Sequence, residues 1–303
     1  MTVPPPRTGL LATGIRWRDG RANLVLTDPA DEQTLQPLTP GTIAGWRLDG
    51  PRTCVGIRAK AGRRVPCPRS TALPETAPRA QCERCALADP SRALARDQAM
   101  DDPRPFSLYL AWFGPGLVKV GLTATERRAA RLADQGAPMF TWLAHGPLVA
   151  VRGTERKCSA TGTVRERIPH RAKAAAWWRP RVAGPPQELA DAHARLTPLL
   201  PDTLTPAPCD IQDLTGFYGL TDAPPPTRDQ AASLAQDALL HGEFTCVAGH
   251  DALITTDTGP LFVDLRLLTG WHLTPDRGRT SGVTVKPLDT GRAPDGSVQE
   301  ELF

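Results

Sequence analysis

Phe106-Ser-Leu-Tyr-Leu-Ala-Trp-Phe113, Gly114-Pro-Gly116, Leu117-Val-Lys-Val-Gly-Leu122 and Thr123-Ala-Thr-Glu-Arg-Arg-Ala-Ala-Arg-Leu-Ala-Asp-Gln-Gly136 run on as one stretch, and the expected fold starts from it. Residues 106–113 are apolar and rich in β-formers, and Gly114-Pro115-Gly116 is a turn. Residues 117–122 read as the returning strand. Thr123 with Glu126 three residues on is a capping box that opens a basic helix through Arg127, Arg128, Arg131 and Leu132. A tight hairpin puts Tyr109 and Lys119 on one face, because side chains alternate along a strand. Arg128 shares a helix face with Leu132 and leans toward the sheet. A phenol, an ammonium and a guanidinium then converge on one patch, and that patch suits a phosphate.

Outward from this stretch, 303 residues suffice for two or three modules. The 32 prolines and 26 glycines point to short elements and many connections rather than a helical bundle. There is no apolar run of membrane-spanning length, and Met1-Thr-Val-Pro-Pro-Pro lacks a signal-peptide core, so a cytoplasmic protein without a membrane partner is expected. The net charge of +4 hides an asymmetry. Residues 1–200 carry 30 Lys and Arg against 17 Asp and Glu, and residues 201–303 carry six against 15. The first part suits a polyanion such as DNA.

Residues 1–50 read as short β segments, with Thr13–Trp17 and Arg21–Thr27 flanking the hairpin signal Asp19-Gly20 and a further strand over Gly41–Leu48. Four cysteines follow, Cys54, Cys67, Cys82 and Cys85, the last two as Cys-x-x-Cys. Four thiolates at tetrahedral reach select Zn²⁺ and leave no open position for water, so the site is structural. A redox dithiol at Cys82 and Cys85, or unligated buried thiols, are the alternatives. Cys158, Cys209 and Cys246 stand apart as ordinary cysteines. Six basic residues and no acidic one lie between Arg52 and Arg69. Of these, Arg58, Lys60, Arg63 and Arg64, together with Arg127 and Arg131, are the candidate phosphate contacts.

After the basic helix, strands are expected at Met139–Leu143 and Pro147–Val151, and a short helix over Arg152–Ala160 carrying Glu155. Residues 163–181 are basic again beside Trp177-Trp178, where the arginines suit contact and the tryptophans packing. His170 shows no partner in the sequence. Gln187–Leu200 and Thr227–Leu240 read as helices, and Gly242–Leu273 as a β meander. The polar tail from Asp276 ends in Gln299-Glu-Glu-Leu302-Phe303. This resembles the short peptide by which bacterial replication and repair proteins dock on the DNA sliding clamp, with Gln299, Leu302 and Phe303 as its anchors.

The stretch 106–180 resembles the core of the GIY-YIG nuclease superfamily. Ser107-Leu108-Tyr109 stands where that family has Gly-Ile-Tyr, and Lys119-Val120-Gly121 where it has Tyr-Ile-Gly; Thr123 and Arg128 match the Thr and Arg that follow. The resemblance implies that Tyr109 helps deprotonate the attacking water, that Arg128 neutralises phosphate charge, and that Glu155 holds Mg²⁺ or Mn²⁺ as Lewis acid; Lys119 is expected beside Arg128 on the phosphate. The departures are Ser107 for a glycine and Lys119 for the second tyrosine. A four-Cys site followed by such a core and a small β region is also similar to an uncharacterised prokaryotic family, a domain of unknown function.

The expected fold class is therefore α+β: a GIY-YIG-like α/β core over residues 101–185, preceded by a β-rich region with a zinc module (1–100). A small helix plus β-meander region (186–275) and a flexible tail (276–303) follow. Three functions compete. One is a Mg²⁺- or Mn²⁺-dependent DNA phosphodiesterase, the second a non-catalytic nucleic-acid-binding module, and the third an adaptor stapled by zinc.

Overall fold

The computed structural model describes residues 9–58, 64–89, 102–127, 129–178 and 186–288. The strands in chain order are β1 (Leu10–Arg18), β2 (Arg21–Thr27), β3 (Gln33–Leu38), β4 (Ile43–Asp49), β5 (Ile57–Arg58) and β6 (Arg64–Val65). Then come β7 (Pro105–Trp112), β8 (Val118–Ala124), β9 (Met139–Pro147), β10 (Thr205–Pro206) and β11 (Gln212–Asp213). The last are β12 (Asp229–Ala248), β13 (Asp251–Thr256), β14 (Gly259–Asp264), β15 (His272–Pro275) and β16 (Ser281–Pro287). Among the described residues the longest helices are Leu148–Ala160 and Gln187–Leu196.

The expectation of an α+β fold with a GIY-YIG-like α/β core is overturned. The protein is mostly β, 42% strand against 22% helix, and is built on two antiparallel sheets. The larger has nine strands in the order β13-β14-β12-β4-β15-β1-β2-β3, with β16 added on β12. It draws β1 to β4 from one end of the chain and β12 to β16 from the other, so residues read as separate N- and C-terminal regions are woven into a single sheet. Arg18 pairs with Arg21 across Asp19 and Gly20, both at positive φ, which is the hairpin expected from Asp-Gly. β16 gives residues 281–287 of the expected tail a strand pairing with β12. The clamp-type peptide Gln299, Leu302, Phe303 lies outside the described residues.

The helix expected over Thr227–Leu240 is also corrected, because this segment is the first half of β12. Its core residues Ala231, Leu234 and Ala238 recur at helical spacing. Two register shifts, at Ala231/Ser233 and Leu234/Leu239, turn all three inward from a strand. Asp237, at φ 62°, supplies the kink. A bulged strand can thus imitate a helical period, and pairing on both sides overrides the local preference of Ala, Gln and Leu.

The smaller sheet has the order β10-β9-β7-β8, with β11 also on β9. It is the middle layer. Phe106, Leu108, Leu110 and Trp112 face Leu148, Val151 and Cys158 of one helix and Leu189 and Leu196 of the other. The opposite face, with Tyr109 and Ala111, joins Leu132, Phe140, Trp177 and Phe262 in the core shared with the large sheet. Trp177 packs edge-on against Phe262 at 5.3 Å, the packing role expected of it. The capping box does not form. β8 continues to Ala124, a 3-10 turn covers Thr125–Arg127, and the helix begins only at Ala130. Glu126 instead pairs with Arg104. The strand expected at Pro147–Val151 is the end of β9 and the first turn of the helix that carries Glu155.

Candidate metal centre and basic seam

Cys54 and Cys67 flank the β5–β6 hairpin, while Cys82 precedes the helix Glu83–Ala88 and Cys85 lies in its first turn. One sulfur from each comes within 4.8 Å of all the others. Four sulfurs about 2.3 Å from a shared ion would sit roughly 3.8 Å apart, so the cluster fits one tetrahedral metal with little movement. The backbone is arranged for thiolates. Cys54 Sγ accepts from the N–H of Gly56 (3.4 Å) and of Cys82 (3.2 Å). Gly56 sits at φ 81°, and a Cβ there would run into the carbonyl of Val65, so the hairpin closes over Cys54 only with glycine. Burial raises the Cys54 and Cys85 thiols, whereas the N–H of Cys85 lowers Cys82. Burial also acts upward on Cys67, but hydrogen bonds from the N–H groups of Thr71 and Arg69 and with the side chains of Thr71 and Cys54 together bring this thiol to about 6. The four thiols can take one metal ion, and because ligation needs thiolates, loading releases protons.

The module is fastened to the large sheet. Arg52, 3% exposed, donates from Nε to the Thr269 carbonyl (2.9 Å) and from Nη1 to the carbonyls of Glu75 (3.1 Å) and Ala77 (2.7 Å). Thr53 N–H donates to the Gly270 carbonyl at 2.7 Å. Arg52 is thus a structural clamp and no part of a phosphate surface. Arg64 is committed too, donating to the Val55 carbonyl and pairing with Asp31. Arg127 pairs with Asp134. Arg131 is half-buried on the short helix, and Arg58 contributes to β5. Lys60, Arg63 and Arg128 lie outside the described residues.

The expected approach of Tyr109 and Lys119 is present. Ala111 pairs with Lys119 and Tyr109 with Gly121, which puts both side chains on one face. Lys119 Nζ lies 3.4 Å from the Tyr109 hydroxyl and donates to its neighbour's carbonyl, Val120 O, at 3.0 Å. Tyr109 is 1% exposed, and its oxygen also accepts from Gln135 Nε2 at 2.6 Å. Glu155 is placed elsewhere. On its helix it shares a face with Val151 and Cys158, which pack against the sheet face opposite Tyr109. The small sheet therefore lies between Tyr109 with Lys119 and the helix that carries Glu155.

Two further residues meet at the seam between the sheets, Gln135 and Lys173, and no motif in the sequence marks them. Lys173 Nζ lies 3.9 Å above the Phe113 ring and donates to the Gln135 carbonyl at 3.3 Å. His170, one turn earlier, has a partner 81 residues away, with Nε2 at 2.7 and 2.9 Å from the two oxygens of Asp251. Asp251 stands directly across from Asp264 on β13 and β14, and Arg266 holds Asp264. Two facing carboxylates are thereby balanced by an imidazole and a guanidinium. The Asp251 hydrogen bond raises His170 above its ordinary value. A raised folded-state value means that the contribution of this pair to stability is complete below about pH 6.5 and fades as pH rises through the folded value. An NMR titration should put His170 above the ordinary histidine value, and Asp251→Asn should bring it down. An unchanged midpoint in that variant would refute the assignment.

These features define a class of protein: a large antiparallel sheet stapled by a four-cysteine module and backed by a small hairpin sheet. The chain belongs to the family described as Protein of unknown function (DUF2797), whose model matches residues 49–273. No curated protein and no solved structure matches the chain. Among the described residues, no helix is long and apolar enough to cross a membrane.

Proposed function

We propose that this protein binds nucleic acid, DNA in the first place, with a structural Zn²⁺ in its four-cysteine module. The observation that carries this reading is the Tyr109–Lys119 pair, an ammonium held at the seam that makes no ion pair with a carboxylate among the described residues. The likeness of residues 106–180 to GIY-YIG nucleases supports phosphate as what it meets, and the excess of basic residues over 1–200 supports a polyanion. The packing of the Glu155 helix on the sheet face opposite Tyr109 favours binding over cleavage.

The full-length chain should bind a fluorescent DNA duplex or single strand at low salt and lose affinity steeply as salt rises, because phosphate contacts release counterions. Lys119→Met should weaken binding to all sequences about equally. Adding Mg²⁺ or Mn²⁺ should leave the DNA intact. Absence of binding at low salt defeats the reading, and cleavage abolished by Glu155→Gln would restore the nuclease assignment in its place.

A further inference from the structure

We infer that Lys119 and Lys173 jointly form a site for a phosphate-type oxyanion at the seam between the two sheets. Tyr109 and Gln135 fix the two amines in place. The inference rests on the proposed function only for the source of the phosphate.

Five of the 36 basic residues are lysine, so a chain biased toward arginine has placed two of its few ammonium groups at one seam. They come from different elements, Lys119 from β8 and Lys173 from the helix His170–Ala175. Gln135 connects them, since its side chain donates to the Tyr109 hydroxyl that Lys119 also meets and its carbonyl accepts from Lys173. Neither ammonium pairs with a carboxylate among the described residues, although both are half-buried. Among the charges acting on Lys173, those of Lys119, Arg131 and Arg266 outnumber the single carboxylate of Asp251. Burial first and Lys119 second bring its amine down to about 8.

Two like charges in a partly desolvated seam repel each other and lack the hydration they would have outside. An oxyanion accepting from both removes that cost. Compact ammonium groups, each with donors left over beyond its carbonyl, suit a tetrahedral phosphate approached from two sides. Phe113 holds the Lys173 ammonium against its ring and so fixes one wall.

The small number of lysines makes a direct test possible. The full-length protein would be reductively methylated under limiting reagent, and the extent at each lysine read by mass spectrometry. Inorganic phosphate should slow labelling of Lys119 and Lys173 several-fold and leave Lys60, Lys157 and Lys286 unchanged, with chloride at equal ionic strength as control. In Lys173→Met, folded by circular dichroism, phosphate should no longer protect Lys119. A short single-stranded oligonucleotide forms the second arm. Protection by both ligands assigns the site to backbone phosphate, and protection by phosphate alone keeps the site and removes nucleic acid as its source. If the oligonucleotide binds and phosphate binds, yet neither changes labelling at Lys119 and Lys173, the inference fails, while nucleic-acid binding itself stands and is carried by other residues. Equal protection of all five lysines, or protection of Lys119 that survives Lys173→Met, also overturns it.

Discussion

Purified protein should contain close to one zinc per chain, and Cys82→Ser should lose both the metal and the fold of residues 52–89. The expected loss is large because this module has little else to hold it. Its own apolar cluster consists of Cys54, Cys67 and Cys85 with Ile57, Leu73 and Cys82 packed against them. A unit with so small a core depends on its ligand for stability, and structural zinc sites of this kind supply about 10–16 kcal/mol of apparent binding free energy near neutral pH. Damage should spread, since Arg52 and Thr53 bind the Thr269 and Gly270 carbonyls immediately before β15. Thermal unfolding followed by intrinsic tryptophan fluorescence should therefore show a lower midpoint in the variant. Metal loading should also weaken as pH falls and thiolates are protonated, most steeply for the buried Cys54 and Cys85. Protein free of zinc whose four thiols react freely, with an unchanged melting curve, would remove the site.

Gly121→Ala should be the most disruptive small substitution in the middle layer. Gly121 lies opposite Tyr109 in the hairpin. A Cβ built there comes within 2.6 Å of Lys119 Nζ and closer still to the Tyr109 hydroxyl. Neither group can yield freely, because the phenol is held by Gln135 and the ammonium by the Val120 carbonyl. Overpacking of this kind costs about 1–3 kcal/mol. The tyrosine can only tilt away by breaking the hydrogen bond that positions Gln135, so the substitution should remove DNA binding as well as lower the melting point. Tyr109→Phe in the same background gives a control, since losing the hydroxyl opens space and should restore part of the stability. Wild-type stability in Gly121→Ala would show that the hairpin is looser than its register implies.

The hairpin at 106–122 and the four-cysteine cluster were legible in sequence because both depend on local pattern. Alternation and a Gly-Pro-Gly turn specify one, and thiol spacing specifies the other. The large sheet was not legible. Leu10 pairs with Leu273 and Gly45 with His241, and no short-range signal announces such partners. The His170–Asp251 contact escaped for the same reason. The error at Thr227–Leu240 had a different origin, since bulges gave a strand the period of a helix. Charge misled as well. Arg52 and Arg64 belong to a run without acids in sequence, yet carbonyls and Asp31 absorb them in space.

The weave of the large sheet bears on how the chain is born. β1 leaves the ribosome early and hydrogen-bonds a strand that emerges about 260 residues later, while β4 waits for both β12 and β15. Entropy must be spent closing these long loops before any contact rewards it, which makes such pairings slow. Through most of synthesis β1 and β4 are apolar strands with an open edge, Trp17 and Trp46 among them, and unpaired edges of this kind attract other chains. The small sheet can assemble in the meantime, since β7, β8 and β9 are close in sequence. The hairpin thus serves as a seed against which both ends of the chain close, and the growing protein needs shelter until Leu273 is free to pair.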